Sequence, residues 1–217
     1  MLDMEMIEVN EQSSIRIAGS SVLYFDPFHI DKLILDADVL FLTHGHYDHF
    51  SLEDIKKVAV SNTRFVVPAK LAREISNLDV DAGRIIVMNP GDEKAVRDRR
   101  DNVMKVKAVP AYNKTKPFHP KSSRWCGYVV EIDDTTIYVA GDTDGLKENE
   151  SIECDIAFIP IGGTYTMSYK EAAEFTNRLK PGTVIPIHYG SIVGEKNYGE
   201  RFEELVDDGI TVVRKLF

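Results

Sequence analysis

Thr43-His44-Gly45-His46-Tyr47-Asp48-His49 follows directly on the unbroken apolar run Val39-Leu40-Phe41-Leu42. A run of that length and composition predicts a central strand covered on both faces. Where such a strand releases the chain, four metal-capable side chains fall within six residues. In extended backbone, residues i and i+2 share a face, so His44 and His46 can hold one ion together; on a helix they would diverge by roughly 200°. The turn that follows brings Asp48 and His49 to the same side, where they can take a second ion. Half of the chain's six histidines lie in this hexad, which argues against a polar loop of surface histidines. Gly45, lacking a side chain, suits a tight turn beside a metal.

Around the hexad the chain reads as short β-branched strands alternating with a few helices. Residues 15–18 and 22–25 predict an antiparallel pair around Gly19-Ser20. Ser51-Leu-Glu-Asp54 is a helix-capping signature, with Ile55, Val58 and Ala59 as the apolar stripe. Strands are expected over 63–67, 84–88, 102–109, 127–132, 136–140, 154–161, 183–187 and 210–213. Asp133-Asp134 forms a hairpin turn, and Arg97 to Asp101, mixed in sign, a hairpin tip. Helices are expected over 71–78, 168–179 and 201–206, the second with Ala172, Ala173, Phe175 and Leu179 inside and Pro181-Gly182 at its end. Pro110 to Arg124, with three prolines, is a loop of restricted freedom. This order points to an α+β domain over residues 1–217, with sheet layers covered by helices.

The 217 residues carry 26 Lys+Arg against 35 Asp+Glu, a formal charge of -9. That field repels polyanions and argues against a general nucleic-acid binder. Cys126 and Cys154 form no Cys-x-x-Cys pair and read as buried thiols. The acidic N-terminus lacks the basic and apolar regions of a signal peptide, and the apolar stretches are too short for a membrane-spanning helix, so the cytoplasm is the expected location. Self-association into a homo-oligomer is left open.

His-x-His-x-Asp-His after a buried strand resembles the signature of the metallo-β-lactamase-fold hydrolases, and later landmarks follow that family's order. Gly141-Asp142-Thr143 resembles its metal-bridging aspartate, and Pro186-Ile-His188-Tyr-Gly190 its last histidine ligand. Tyr24-Phe-Asp26-Pro27 and Pro160-Ile-Gly-Gly-Thr164-Tyr-Thr-Met167 resemble the small branch that includes ascorbate-6-phosphate lactonase. The resemblance spans nearly the whole chain and implies an αββα sandwich, two packed mixed sheets with helices on both outer faces. It implies metal ligation by His44, His46, Asp48, His49, Asp142 and His188. An anionic oxygen between two divalent ions helps offset their repulsion. Asp26 could orient a ligating imidazole, and His29 reads as second to the ligands or facing substrate.

One landmark departs from the family. Where its third histidine on the first metal is expected, this chain has Ala111-Tyr112-Asn113. Either Asn113 offers a neutral carbonyl oxygen, a poor zinc ligand, or His119 in Pro117-Phe-His-Pro120 supplies the nitrogen. Between Asn102 and Val130 there is no Asp or Glu, while Lys114, Lys116, Lys121 and Arg124 crowd the loop expected beside the metals, so one of them is a candidate contact for an anionic substrate group.

The resemblance therefore implies a hydrolase with two divalent ions, Zn²⁺ first and Mn²⁺ or another ion as alternatives, acting on a small ester, lactone or phosphorylated molecule. Ions about 3.5 to 4 Å apart would lower the pKa of a bridging water and polarise the bond it attacks. Asp48 and Asp142 would bind metal and orient the hydroxide; Tyr165 or His29 could assist the leaving group. The alternatives are a phosphodiesterase and a non-catalytic metal-binding protein of the same fold. Structured RNA fits poorly with the acidic total. The iron oxidoreductases of this fold replace the second histidine with glutamate, whereas His46 is kept.

Overall fold

A computed structural model describes residues 2–78 and 80–216. The first half of the chain forms a six-stranded mixed sheet from β1 (Ile7–Val9), β2 (Ile15–Ala18), β3 (Val22–Phe25), β4 (Ala37–Phe41), β5 (Ala59–Pro68) and β6 (Ile85–Met88), ordered as in the sequence. The first three strands are antiparallel and the rest run parallel. Helices α1 (Leu52–Val58) and α2 (Ala72–Ser76) lie in the crossovers from β4 to β5 and from β5 to β6, whereas β3 crosses to β4 through residues 26–36 without a helix.

The second half builds a seven-stranded sheet from β7 (Glu93–Arg97), β8 (Val103–Pro110), β9 (Cys126–Ile132), β10 (Thr135–Val139), β11 (Ile156–Pro160), β12 (Thr183–Ile187) and β13 (Thr211–Val212). Its order is 13-12-11-10-9-8-7. β7 to β10 are antiparallel, while β10 to β13 are parallel, with α3 (Tyr169–Leu179) and α4 (Tyr198–Glu203) following β11 and β12.

The sheets face each other through Ile17, Phe25, Phe41, Tyr128, Phe158 and Ile185, all sealed from solvent. Each such side chain contributes about 1.5–3 kcal/mol by leaving water. Ile55, Val58, Leu71 and Ile75 bring α1 and α2 onto the outer face of the first sheet. On the other side, Ala172, Ala173, Phe175 and Leu179 of α3 cover the second. The result is the four-layered αββα sandwich that the resemblance implied.

Ser51 caps α1 through Asp54 N, and Ser168 with Glu171 closes a capping box at α3. Asp133 and Asp134 have φ of 50° and 54°, the left-handed pair of a two-residue hairpin turn. Several details differ from expectation. Ala59, expected on the stripe of the first helix, opens β5, which runs over Ala59–Pro68 and not 63–67, and the helix expected over 71–78 is the shorter α2. β1 and β7 were not anticipated, because one has three residues and the other is an edge strand whose side chains, apart from Val96, are exposed and mostly charged. α4 starts at Tyr198 and ends at Glu203 rather than spanning 201–206. Cys126 is buried, but Cys154 is only half-buried.

Candidate metal centre

Strand ends from both sheets release the chain at one rim: β3 into Asp26, β4 into the hexad, β8 into the 111–125 loop, β10 into Asp142 and β12 into His188. The end of β4 is pinned across the sandwich. Tyr128 donates its phenolic hydrogen to Leu42 O at 2.7 Å, and Cys126 N–H reaches Thr43 O at 3.2 Å.

Two groups of ligand atoms result, each drawn together within 4.8 Å: His44, His46 and His119, then Asp48, His49 and His188. In the first, His44 Nε2 and His46 Nδ1 are 3.1 Å apart, and His119 Nε2 stands 3.3 Å and 3.1 Å from them. In the second, His188 Nε2 is 3.4 Å from Asp48 Oδ2, which is 3.6 Å from His49 Nε2. Asp142 lies between the two. Its Oδ1 is 3.3 Å from His49 Nε2, while Oδ2 is 3.3 Å from His188 Nε2 and 3.5 Å from His119 Nε2.

Contacts behind the rings fix which nitrogen looks inward. Asp26 accepts three hydrogen bonds, from Thr43 N (2.8 Å), Thr43 Oγ1 (2.6 Å) and His49 Nδ1 (2.7 Å). Thr43 thereby spends its only hydroxyl hydrogen on Asp26 and accepts from His44 Nδ1 at 3.0 Å. His44 and His49 therefore each have Nδ1 engaged from behind and aim Nε2 at the centre. The further grouping of Asp26 with His44 and His49 is this hydrogen-bonded backing. Asp26 and His188 both take left-handed φ, 44° and 58°, and Gln12 O anchors His188 N at 2.9 Å. Gly162 lets the His188 carbonyl pack close, since a Cβ there would stand 2.3 Å from His188 O.

The electrostatics match a site built around cations. His49 Nε2, Asp142 Oδ1 and both ring nitrogens of His188 are buried without a hydrogen-bond partner. Burial disfavours charge on His49 and His188, yet the Asp142 carboxylate outweighs it, holding His49 well above the ordinary imidazole range and His188 up to about 9. Burial, with neighbouring imidazoles, pushes His44 well down and His119 to about 4. Asp142, against its own desolvation, is held far below an ordinary carboxylate by His188 and His49. Unpartnered buried lone pairs beside strongly ionised carboxylates are the donor set that divalent cations require. The residues present fit the group.

Of the other expected residues, Asn113 turns its amide oxygen to His119 Nδ1 at 3.0 Å and stands behind the first triad. His29 is half-exposed and pairs with Glu11 at 2.6 Å, outside the clusters. Lys116 is committed to Asp144 (2.7 Å) and Thr166 O (2.8 Å). Lys114 Nζ donates to Gly145 O, Lys121 pairs with Glu148 at 3.3 Å, and Arg124 Nε donates to Asn89 Oδ1 at 3.3 Å. Thr43 and Gln12 are positioning residues that the sequence reading missed. Thr43 had a signal, standing between the apolar run and the hexad; Gln12 had none.

Two mixed sheets clasped between helices, with imidazoles and carboxylates gathered where the strands end, define a metallo-β-lactamase-type architecture. The chain belongs to the beta-lactamase superfamily, whose domain model matches residues 14–189. It is 34% identical over 211 residues to a UPF0173 metal-dependent hydrolase of Pyrococcus horikoshii, covering 91% of this chain and 90% of that one. Among solved structures, a candidate metal-dependent hydrolase from Parabacteroides distasonis superposes with a TM-score of 0.78 at 28% identity, over 97% of this chain and 93% of the other. The metallo hydrolase Igni18 of Ignicoccus hospitalis shares the fold, with a TM-score of 0.74 at 20% identity over 97% and 95%. The protein is thus a metal-dependent hydrolase of this superfamily. Among the described residues no helix is long and apolar enough to cross a membrane.

Proposed function

We propose that the centre holds two divalent cations, one at His44, His46 and His119, the other at Asp48, His49 and His188, with Asp142 shared. The observation that carries this reading is the placement of Asp142, whose two oxygens lie 3.3 to 3.5 Å from imidazoles of both groups. Three nitrogens at the first position favour zinc over oxygen-seeking ions. When bound, such ions supply Lewis acidity and bring the ionisation of a water towards neutral pH.

The chain's own part follows from the same geometry. Asp48 Oδ2 and Asp142 Oδ2 both face His188 Nε2, and a carboxylate there accepts a hydrogen bond from the attacking water and fixes its direction. No serine or cysteine nucleophile is needed; Cys126 is buried, and that burial pushes its thiol up to about 12, away from the reactive thiolate. The substrate is a small ester, lactone or phosphorylated molecule. Lys121 and Arg124, exposed cations of the 111–125 loop, are the proposed contacts for an anionic group on it, which would replace their present partners Glu148 and Asn89.

The test is metal content together with turnover. Zinc-loaded protein should retain two equivalents and hydrolyse at least one member of a panel of aryl esters, lactones and phosphodiesters, and His46→Ala should abolish turnover while leaving the circular-dichroism spectrum intact. Activity confined to the phosphodiesters would make it a phosphodiesterase. Two retained equivalents with an inert panel would make it a metal-binding protein.

A further inference from the structure

Asn113 uses every hydrogen-bonding position of its side chain. The amide nitrogen donates to Tyr165 O at 2.8 Å and to Asp144 Oδ1 at 3.2 Å. Both partners can only accept, so the orientation of the amide is fixed and its oxygen must point the other way. That oxygen accepts from His119 Nδ1 at 3.0 Å and from His119 N at 3.2 Å, while Asn113 N donates to His119 O at 2.8 Å. His119, in turn, is wholly buried and lies on the loop between Pro117 and Pro120, outside any strand or helix.

We propose that Asn113 is the positioning residue of the first cation site: it fixes the His119 tautomer and holds the ring in place, so that the nitrogen comes from the loop and its aim from the asparagine. This rests on the two-cation reading and deepens it. With the Nδ1 hydrogen committed to the amide oxygen, the lone pair sits on Nε2, the atom that faces His44 and His46. Without that acceptor, the ring loses the partner that selects the tautomer and its only side-chain restraint from behind. The same amide ties the site to a second loop. Tyr165, whose carbonyl it clamps, packs edge-on against Phe118 with ring centres 4.6 Å apart, and Lys116 fastens Thr166 O at 2.8 Å. The half-exposed pair Phe118 and Tyr165 and the first cation site are therefore joined through Asn113.

The experiment is a double-mutant cycle read in zinc affinity by chelator competition, with cobalt(II) absorption reporting coordination and circular dichroism reporting the fold. Asn113→Ala should weaken one equivalent by about 10- to 100-fold, the usual loss when the group behind a ligating histidine is removed, and leave the other unchanged. His119→Ala should weaken the same equivalent, and the double variant should be no weaker than His119→Ala alone. Unchanged affinity in Asn113→Ala beside a weakened His119→Ala, or losses that add in the double variant, would overturn the positioning role alone. A His119→Ala variant with undiminished affinity would overturn the two-cation reading as well.

Discussion

Asp26→Asn reverses the hydrogen-bonding polarity behind His49 at the rim of the sandwich. Asp26 sits at φ 44°, a left-handed conformation that asparagine tolerates nearly as well as aspartate, so the substitution leaves the backbone unstrained. Its effect falls on the three bonds the carboxylate accepts and, through the Thr43 hydroxyl, on the contact that hydroxyl makes with His44 Nδ1 at 3.0 Å. An asparagine oxygen can keep Thr43 N, and the Thr43 hydroxyl can rotate to accept from the new amide. His49 Nδ1, 2.7 Å from Oδ2, then faces a donor instead of an acceptor. The ring must move its hydrogen to Nε2, the atom that should present a lone pair to the cation. Reversing one charge-assisted hydrogen bond costs about 1.5–3 kcal/mol. At 1.4 kcal/mol per tenfold, this is about a 10- to 150-fold rise in the zinc Kd. Competition with a chromophoric chelator measures it, and circular dichroism checks the fold. A folded Asp26→Asn protein with wild-type zinc affinity would refute the claim that Asp26 sets the His49 tautomer.

Two further outcomes are expected. In the metal-free centre, the Asp142 carboxylate keeps a proton on His188 up to about pH 9 and on His49 well beyond the ordinary range, despite the burial of both rings. A cation must displace those protons, so apparent zinc affinity should climb by up to about tenfold per pH unit for each proton released from pH ~6 towards ~9. Chelator competition across that range tests the sign, and a flat or falling trend would contradict it. In the core, Phe158→Ala removes a ring sealed between the sheets and should cost about 3–5 kcal/mol in urea unfolding. A loss under about 1 kcal/mol would mean that the sheets close over the gap.

The parts of this molecule that could be read from sequence are those carried by local chemistry. The apolar run ending at Leu42, the capping Ser51 and the paired aspartates of the 133–134 turn each fix their own neighbourhood, and each appears as expected. β1 and β7 escaped because an edge strand needs little apolar surface: among the residues of β7 only Val96 is buried. At the site, the spacing of the hexad announced which residues would gather, whereas the choice between Asn113 and His119 depended on Asp144 and Tyr165, partners some thirty and fifty residues further along. The charge of the 111–125 loop misled in the same way. Lys116 reads as a free cation in sequence, but in the fold it is claimed by a carboxylate and a carbonyl.

The first sheet is drawn entirely from residues before Asn89 and the second entirely from residues after Asp92. Each triad takes two ligands from the first segment and one from the second: His44 and His46 with His119, Asp48 and His49 with His188. Neither half of the polypeptide supplies all three side chains of either triad. A cation seated at the rim therefore rivets the amino-terminal half to the carboxy-terminal half, and cleavage in the connecting turn at residues 89–92 would leave two fragments whose reunion is coupled to metal.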